Sequence, residues 1–172
     1  EESATKTWSH TEPFILFHPV TRWKQKRWPR ERWIELGQTL AGEYPIQVSC
    51  GPNMEEIAEA QAIVDGIGPR AASTEGKLSW GELAGTLRAA NLFVGVDTAA
   101  MHLAAACKCP TIALFGSSRD WAWRPWAVQH QILGPSEADW KAVLESAQTK
   151  QEIRKLIFKI SVKETLAACR AM

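Results

Sequence analysis

Apolar residues in this chain gather in short unbroken runs, separated by stretches in which they recur every three or four positions. Phe14-Ile15-Leu16-Phe17-His18-Pro19-Val20, Ile46-Gln47-Val48-Ser49-Cys50, Leu92-Phe93-Val94-Gly95-Val96 and Thr111-Ile112-Ala113-Leu114-Phe115 are runs of the length and bulk of buried strands. Weaker runs at Arg70–Ser73 and Gln131-Ile132-Leu133 are read as further strands. Between them lie helical patterns. Pro29 opens one, with Trp33, Leu36 and Leu40 on a single face and an end near Gly42. Asn53 caps the next, whose first turn holds Glu55 and Glu56, favourable at the positive end of the helix dipole. Ser79 followed by Glu82 is a capping-box spacing, and Leu83 and Leu87 form that helix's core face. Ala99–Cys107 is a small-residue helix stopped before Pro110. Ser117–Val128 is read as a tryptophan-rich loop. Ile153, Leu156, Ile157 and Ile160 fit a helix over 151–160, while Ile157-Phe158-Lys159-Ile160 fits a short strand equally well. Ser161 with Glu164 is a second capping box, opening a final helix through Ala168.

Strands alternating with helices in this way make βαβ units and a parallel sheet. The fold class is therefore α/β, a parallel sheet sandwiched by helices. Ligands of such sheets bind beyond the carboxyl ends of the strands. That rule points to the loops at 18–28, 50–56 and 97–102.

Length and composition narrow the class. The chain has 172 residues, 45% hydrophobic and 23% charged, which suits one soluble globular domain and excludes a disordered or fibrous chain. No charge-free apolar stretch of about 18 residues is present, which speaks against a spanning helix, and Glu1–Lys6 offers no apolar signal-peptide region. Residues 1–12 are polar and are read as a linker or frayed terminus. Residues 13–172 form the domain, with 150–172 a C-terminal helical segment, and the absent initiator Met suggests a piece of a longer protein. Cys50, Cys107, Cys109 and Cys169 form no CxxC pair, and the four histidines are scattered, so free thiols in a reducing cytosol and no metal site are expected.

Net charge is only +1, but residues 22–32 carry six basic groups against one acidic. Such a cluster suits an anionic ligand, although a charge run by itself more often marks a solvated face. The balanced total disfavours a nucleic-acid binder.

The strongest chemical signal is Val94-Gly95-Val96-Asp97-Thr98-Ala99-Ala100-Met101-His102. A buried strand ends and a helix starts at once. The first amides of that helix lack intrahelical partners and, with the dipole, form an anion site suited to a diphosphate. Ala99 and Ala100 leave the backbone open to close approach, and His102 lies one helical turn beyond Thr98 on the same side. Taken singly, Asp97 reads as a helix cap or an acceptor for hydroxyls, and His102 as a core histidine; as a set after a buried strand they read as a binding site. No GxGxxG follows the first strand and no GxxxxGK[ST] occurs, which disfavours a dinucleotide dehydrogenase and a phosphate-loop hydrolase.

Asp97-Thr98-Ala99-Ala100-Met101-His102-Leu103-Ala104-Ala105-Ala106 followed by Pro110-Thr111-Ile112-Ala113-Leu114-Phe115-Gly116 resembles the donor-binding domain of the ADP-heptose:lipopolysaccharide heptosyltransferases, glycosyltransferase family 9. Thr21-Arg22 with Lys26-Arg27-Trp28-Pro29 and Trp33 is similar to that family's first loop, and Gly51-Pro52-Asn53-Met54-Glu55-Glu56 to its second. The resemblance covers roughly residues 14–134, and Trp123-Arg124-Pro125-Trp126 is more like the heptosyltransferase III branch than branches I and II.

The resemblance implies a Rossmann-like parallel sheet sandwiched by helices, the C-terminal half of a GT-B glycosyltransferase, a cytoplasmic enzyme that moves heptose from ADP-heptose to the lipopolysaccharide inner core with inversion. It implies no metal, no cofactor and no nucleic-acid partner. No catalytic residue is expected on this chain, because the family's general base lies in the N-terminal domain. It further implies that Lys26 contacts the diphosphate with Thr21 and Arg22 beside it, that Glu55 binds the ribose hydroxyls and that Leu78 packs the adenine. Thr98 and Ala99 offer amides to phosphate, and Asp97 and His102 bind heptose or phosphate. Leu78 reads equally as a core leucine, and Trp28 and Trp33 as packing anchors; Trp121, Trp123 and Trp126 stay unassigned. The basic face is the candidate contact with phosphorylated core or with the inner membrane. Rival readings are a glycosyltransferase using another nucleotide sugar and a non-catalytic, receiver-like nucleotide-binding module.

Overall fold

The computed structural model describes residues 12–118, 120–146 and 148–172, without the side chains of Thr149 and Lys150. Most of the expected linker at 1–12 lies outside the described residues. Six strands, β1 (Ile15–His18), β2 (Ile46–Val48), β3 (Ala71–Ser73), β4 (Leu92–Val96), β5 (Thr111–Leu114) and β6 (His130–Leu133), form one sheet in the order β3-β2-β1-β4-β5-β6. Every pairing is parallel. This is the doubly wound order, whose topological reversal falls between β1 and β4. A receiver-like module is set aside, because its order is 2-1-3-4-5.

Eight α-helices are seen among the described residues: α1 (Arg30–Leu40), α2 (Met54–Ile67), α3 (Trp80–Ala89), α4 (Ala99–Ala106), α5 (Asp120–Trp123), α6 (Glu137–Leu144), α7 (Thr149–Ile153) and α8 (Val162–Ala171). Helices α1, α2 and α8 cover one face of the sheet with Trp33, Leu36, Ile63 and Ala168, and α3 and α4 cover the other with Leu83, Leu87, Met101 and Ala104. Because both faces are covered, β4 and β5 are buried along their whole length, which is why they read as continuous apolar runs. No helix among the described residues is long and apolar enough to cross a membrane.

The capping boxes at Ser79–Glu82 and Ser161–Glu164 both form, with side chain and backbone bonded reciprocally. Asn53 caps α2 by accepting from the Glu55 amide at 2.8 Å. The open choice at 151–160 resolves as α7 followed by a 3-10 turn over Leu156–Lys159. Within the stretch read as a loop, Asp120–Trp123 makes one helical turn. Trp28 and Trp33 are packing anchors. They meet edge to face at 5.2 Å, and Trp28 Nε1 donates to the Ile160 carbonyl at 2.9 Å, tying the first loop to the segment before α8.

Candidate functional site

A cleft of about 740 Å³ opens at the carboxyl edge of the sheet, astride the reversal between β1 and β4. Its walls come from the three loops that follow β1, β2 and β4, with the start of α3 closing one side.

Thr21, Arg22, Lys26, Leu78, Asp97, Thr98, Ala99 and His102, all expected from the sequence, line it. Thr21 is buried, its hydroxyl accepting from the Trp23 amide and its carbonyl from Arg27 Nε, so the loop turns back on itself. Lys26 ends a 3-10 turn over Lys24–Lys26 and reaches Asp97, Nζ to Oδ2 at 2.5 Å. Leu78 lines the cleft and packs on the α3–α4 core, as the core-leucine reading requires. His102 is exposed in the cleft and is not a core histidine; its ring meets that of Trp123 edge-on at 6.4 Å.

Two expectations change. Asp97 does not cap the helix: Thr98 occupies the N-cap position with extended backbone and makes no side-chain cap bond. Its hydroxyl is buried without a partner. The Ala99 and Ala100 amides have no hydrogen-bond partner among the described residues, while Met101 and His102 donate to the Thr98 carbonyl. The start of α4 thus brings two unpaired amides to the cleft wall, and one unsatisfied hydroxyl is buried beside them. Ala99 is exposed there, whereas Ala100 is buried against the core, so only Ala99 leaves room for close approach.

Glu55 is the second. The structure does not bring it to the cleft wall: it accepts from Lys24 at 3.0 Å and from Arg27 at 2.8 Å on the outer side of the first loop. The hydrogen bond from Lys24, then that from Arg27, holds its carboxyl below the usual carboxylate range. Glu56 lines the cleft instead, its Oε2 accepting from the Gly51 amide at 3.0 Å. Position N3 of α2 turns inward where position N2 turns out, so the neighbouring acid is the one within reach.

These pairings also dissolve most of the basic face. Lys24 and Arg27 share Glu55, Arg30 pairs with Glu59, and Arg32 donates to the Phe158 and Ile160 carbonyls. Arg22 and Lys26 are the two cations of this stretch that face the cleft.

The sequence reading missed three further walls. Trp23 and Trp80, 59% and 63% exposed, line the cleft with Trp123, which the sequence left unassigned. His18, at the end of β1, lines it as well. Its Nδ1 lies 2.9 Å from Ser49 Oγ, and burial lowers its pKa to about 4. The glycine after Glu75 shapes the rim: Gly76 has φ +65°, and a Cβ there would lie 2.5 Å from the Gly51 carbonyl oxygen.

Sequence and fold resemble those of known proteins. The family model for glycosyltransferase family 9 (heptosyltransferase) matches residues 1–154. Lipopolysaccharide heptosyltransferase 3 of Escherichia coli is 32% identical over 116 residues, 66% of this chain and 34% of that protein. A glycosyl transferase family 9 structure from Veillonella parvula superposes with a TM-score of 0.79 at 23% identity, over 95% of this chain and 46% of that one. Escherichia coli heptosyltransferase WaaC with ADP-2-deoxy-2-fluoro heptose superposes at 0.65 and 25% identity, over 77% of this chain and 40% of that one. The chain therefore spans about a third of the length of the curated relatives and under half of the solved ones. With the family model covering most of its residues, the chain belongs to glycosyltransferase family 9, the heptosyltransferases.

Proposed function

We propose that these residues are the donor-binding half of a GT-B heptosyltransferase, holding ADP-heptose while heptose passes to a hydroxyl of the lipopolysaccharide inner core. One observation carries the reading: the unpaired Ala99 and Ala100 amides at the start of α4 meet Lys26 and Arg22 across one cleft at the sheet reversal. A diphosphate satisfies donors of this kind, and the helix dipole adds to their field. The similarity to a heptosyltransferase solved with a fluorinated ADP-heptose supports the choice of ligand.

In the reaction, the acceptor oxygen attacks the anomeric carbon as the bond to the β-phosphate oxygen breaks on the opposite face. Negative charge grows on the departing ADP, where the α4 amides and Lys26 stabilise it. The acceptor's proton passes to a base on the other half of the GT-B architecture. Exposed Trp23, Trp80 and half-buried Leu78 offer flat and apolar surface to the base of the nucleotide. Placement in the cytoplasm belongs to this reading. Contact with the inner membrane draws no support from residues 22–32, whose cations are mostly paired.

Calorimetric titration of ADP, UDP and GDP into the 172-residue chain tests it. Binding of ADP in preference to the other two, without heptose transfer to core acceptor by these residues alone, is expected. Preference for UDP or GDP would indicate another nucleotide sugar, and heptose transfer at an ordinary rate by this chain would contradict the division of roles.

A further inference from the structure

Resting on the proposed function, we infer that His18 is a sugar-recognition residue: the structure fixes it as the Nδ1–H tautomer, leaving Nε2 as a neutral acceptor for a hydroxyl group of the bound nucleotide sugar. The tautomer follows from a chain of three groups. Ser49 Oγ lies 3.1 Å from the Phe17 carbonyl oxygen and 2.9 Å from His18 Nδ1. A carbonyl can only accept, so the contact with Phe17, whose oxygen also takes the Ser49 amide at 2.8 Å, is a hydrogen bond only if it receives the single hydroxyl proton of Ser49. The second contact is then a hydrogen bond only if Nδ1 carries the proton and donates to Ser49 Oγ. The opposite tautomer would leave one of the two contacts without a proton.

With Nδ1 committed, Nε2 carries the ring's lone pair. It has no partner among the described residues, and it is not among the side-chain atoms sealed away from solvent. His18 lines the cleft, so its free nitrogen opens where ligand would lie. The ring is held in place. It stacks on Phe93 at 6.4 Å and 24°, and His18 sits in register with Gly95, where a Cβ would lie 2.5 Å from the Phe93 ring.

A lone pair repels a phosphate oxygen and attracts an O–H. The cleft therefore divides its work. The α4 amides, Lys26 and Arg22 provide donors for anionic oxygens, and His18 provides an acceptor for a hydroxyl. Burial, which disfavours the imidazolium, keeps the ring neutral at physiological pH.

Long-range nitrogen–proton spectra of the full chain carrying nitrogen-15 histidine test both parts. In the free chain His18 is expected to be protonated at Nδ1; an Nε2–H tautomer overturns the inference. On saturation with ADP-heptose, the Nε2 resonance is expected to move as a newly hydrogen-bonded acceptor does. The same shift with ADP and with inosine diphosphate assigns the hydroxyl to the ribose, and a shift with ADP-heptose alone assigns it to the transferred sugar. A shift with ADP but not with inosine diphosphate assigns the donor to the adenine amine and overturns the hydroxyl. His18→Phe, which keeps a ring for Phe93, is expected to weaken ADP-heptose binding about three- to tenfold. Unchanged affinity in a variant with the native amide spectrum overturns the contact. If no nucleotide binds the wild-type chain, the proposed function fails and the contact with it, whereas the tautomer stands or falls on the free chain alone.

Discussion

Lys26 Nζ lies 2.5 Å from Asp97 Oδ2, joining the loop after β1 to the end of β4 across the sheet reversal. The Asp97 side chain is 9% exposed and that of Lys26 24%, so water screens this pair less than it screens Lys24 with Glu55, at 73% and 53%. The carboxylate holds the ammonium over the cleft, and the ammonium offsets a negative charge that would otherwise face an incoming diphosphate. Lys26→Ala is therefore expected to weaken ADP binding by one charge-assisted contact, about 1.5–3 kcal/mol. Lys24→Ala is expected to cost less, because its partner lies off the cleft wall and an exposed pair contributes ~0–1 kcal/mol. Calorimetry on the two variants decides: equal losses, or a larger one at Lys24, would give the diphosphate to the wrong lysine.

Gly76 lets the loop after β3 pass over Gly51. Gly76→Ala adds a Cβ both at a left-handed φ and against a backbone carbonyl that has no rotamer through which to yield. A loss of about 1–3 kcal/mol in unfolding free energy is expected, together with weaker ADP binding, because Gly51 lines the cleft. Urea unfolding of the variant at wild-type stability would show that the loop relaxes freely.

His18 gives stability a pH dependence. Its folded pKa, about 4, lies below the ordinary value of 6.5, so between those values the unfolded chain binds more protons than the folded one. Stability from this group is complete above pH 6.5 and falls as pH drops toward 4. At about 1.36 kcal/mol per unit the full shift is on the order of 3 kcal/mol. His18→Phe should flatten the unfolding curve across that window. An unchanged slope between wild type and variant would mean that His18 titrates normally in the fold.

Much of this fold can be read from residues in a row. Strands β1, β4 and β5 sit in a sheet covered on both faces, so burial leaves an unbroken apolar run. Capping boxes are local too, and Ser79 and Ser161 open their helices where the spacing places them. Helix α6 went unread. It buries Val143 while leaving Leu144 exposed, so its periodicity is faint, although Ser136 and Asp139 form a capping box. At the candidate site, sheet topology points to the three loops that line the cleft, and eight of nine expected residues line it. What stayed hidden depends on contacts far apart in the chain. Asp97 takes Lys26 from 71 positions away, and Glu55 is drawn outward by Lys24 and Arg27. The free nitrogen of His18 follows from a serine 31 residues later.

Trp28→Ala should be among the most destabilising single changes. It empties a site 2% exposed and removes the donor to the Ile160 carbonyl, which Arg32 still partly satisfies. A loss of about 3–5 kcal/mol is expected, against a smaller one for Trp28→Phe, which keeps the ring but not the donor. Thermal unfolding of the pair checks this, and similar losses would mean that the hydrogen bond outweighs the packing.

Donor binding by this chain depends on a diphosphate seated at the start of α4. Amide chemical-shift mapping during an ADP titration, run on the wild-type chain and on Ala99→Val, tests that directly. Ala99 is exposed at the cleft and its amide is unpaired. The largest perturbations should fall on Ala99 and Ala100, and Ala99→Val should weaken binding without loss of stability, since it blocks approach to those amides and removes no polar group. Perturbations centred elsewhere, or undiminished ADP affinity in Ala99→Val, would contradict the account and leave the Asp97–Thr98 turn as a structural helix start.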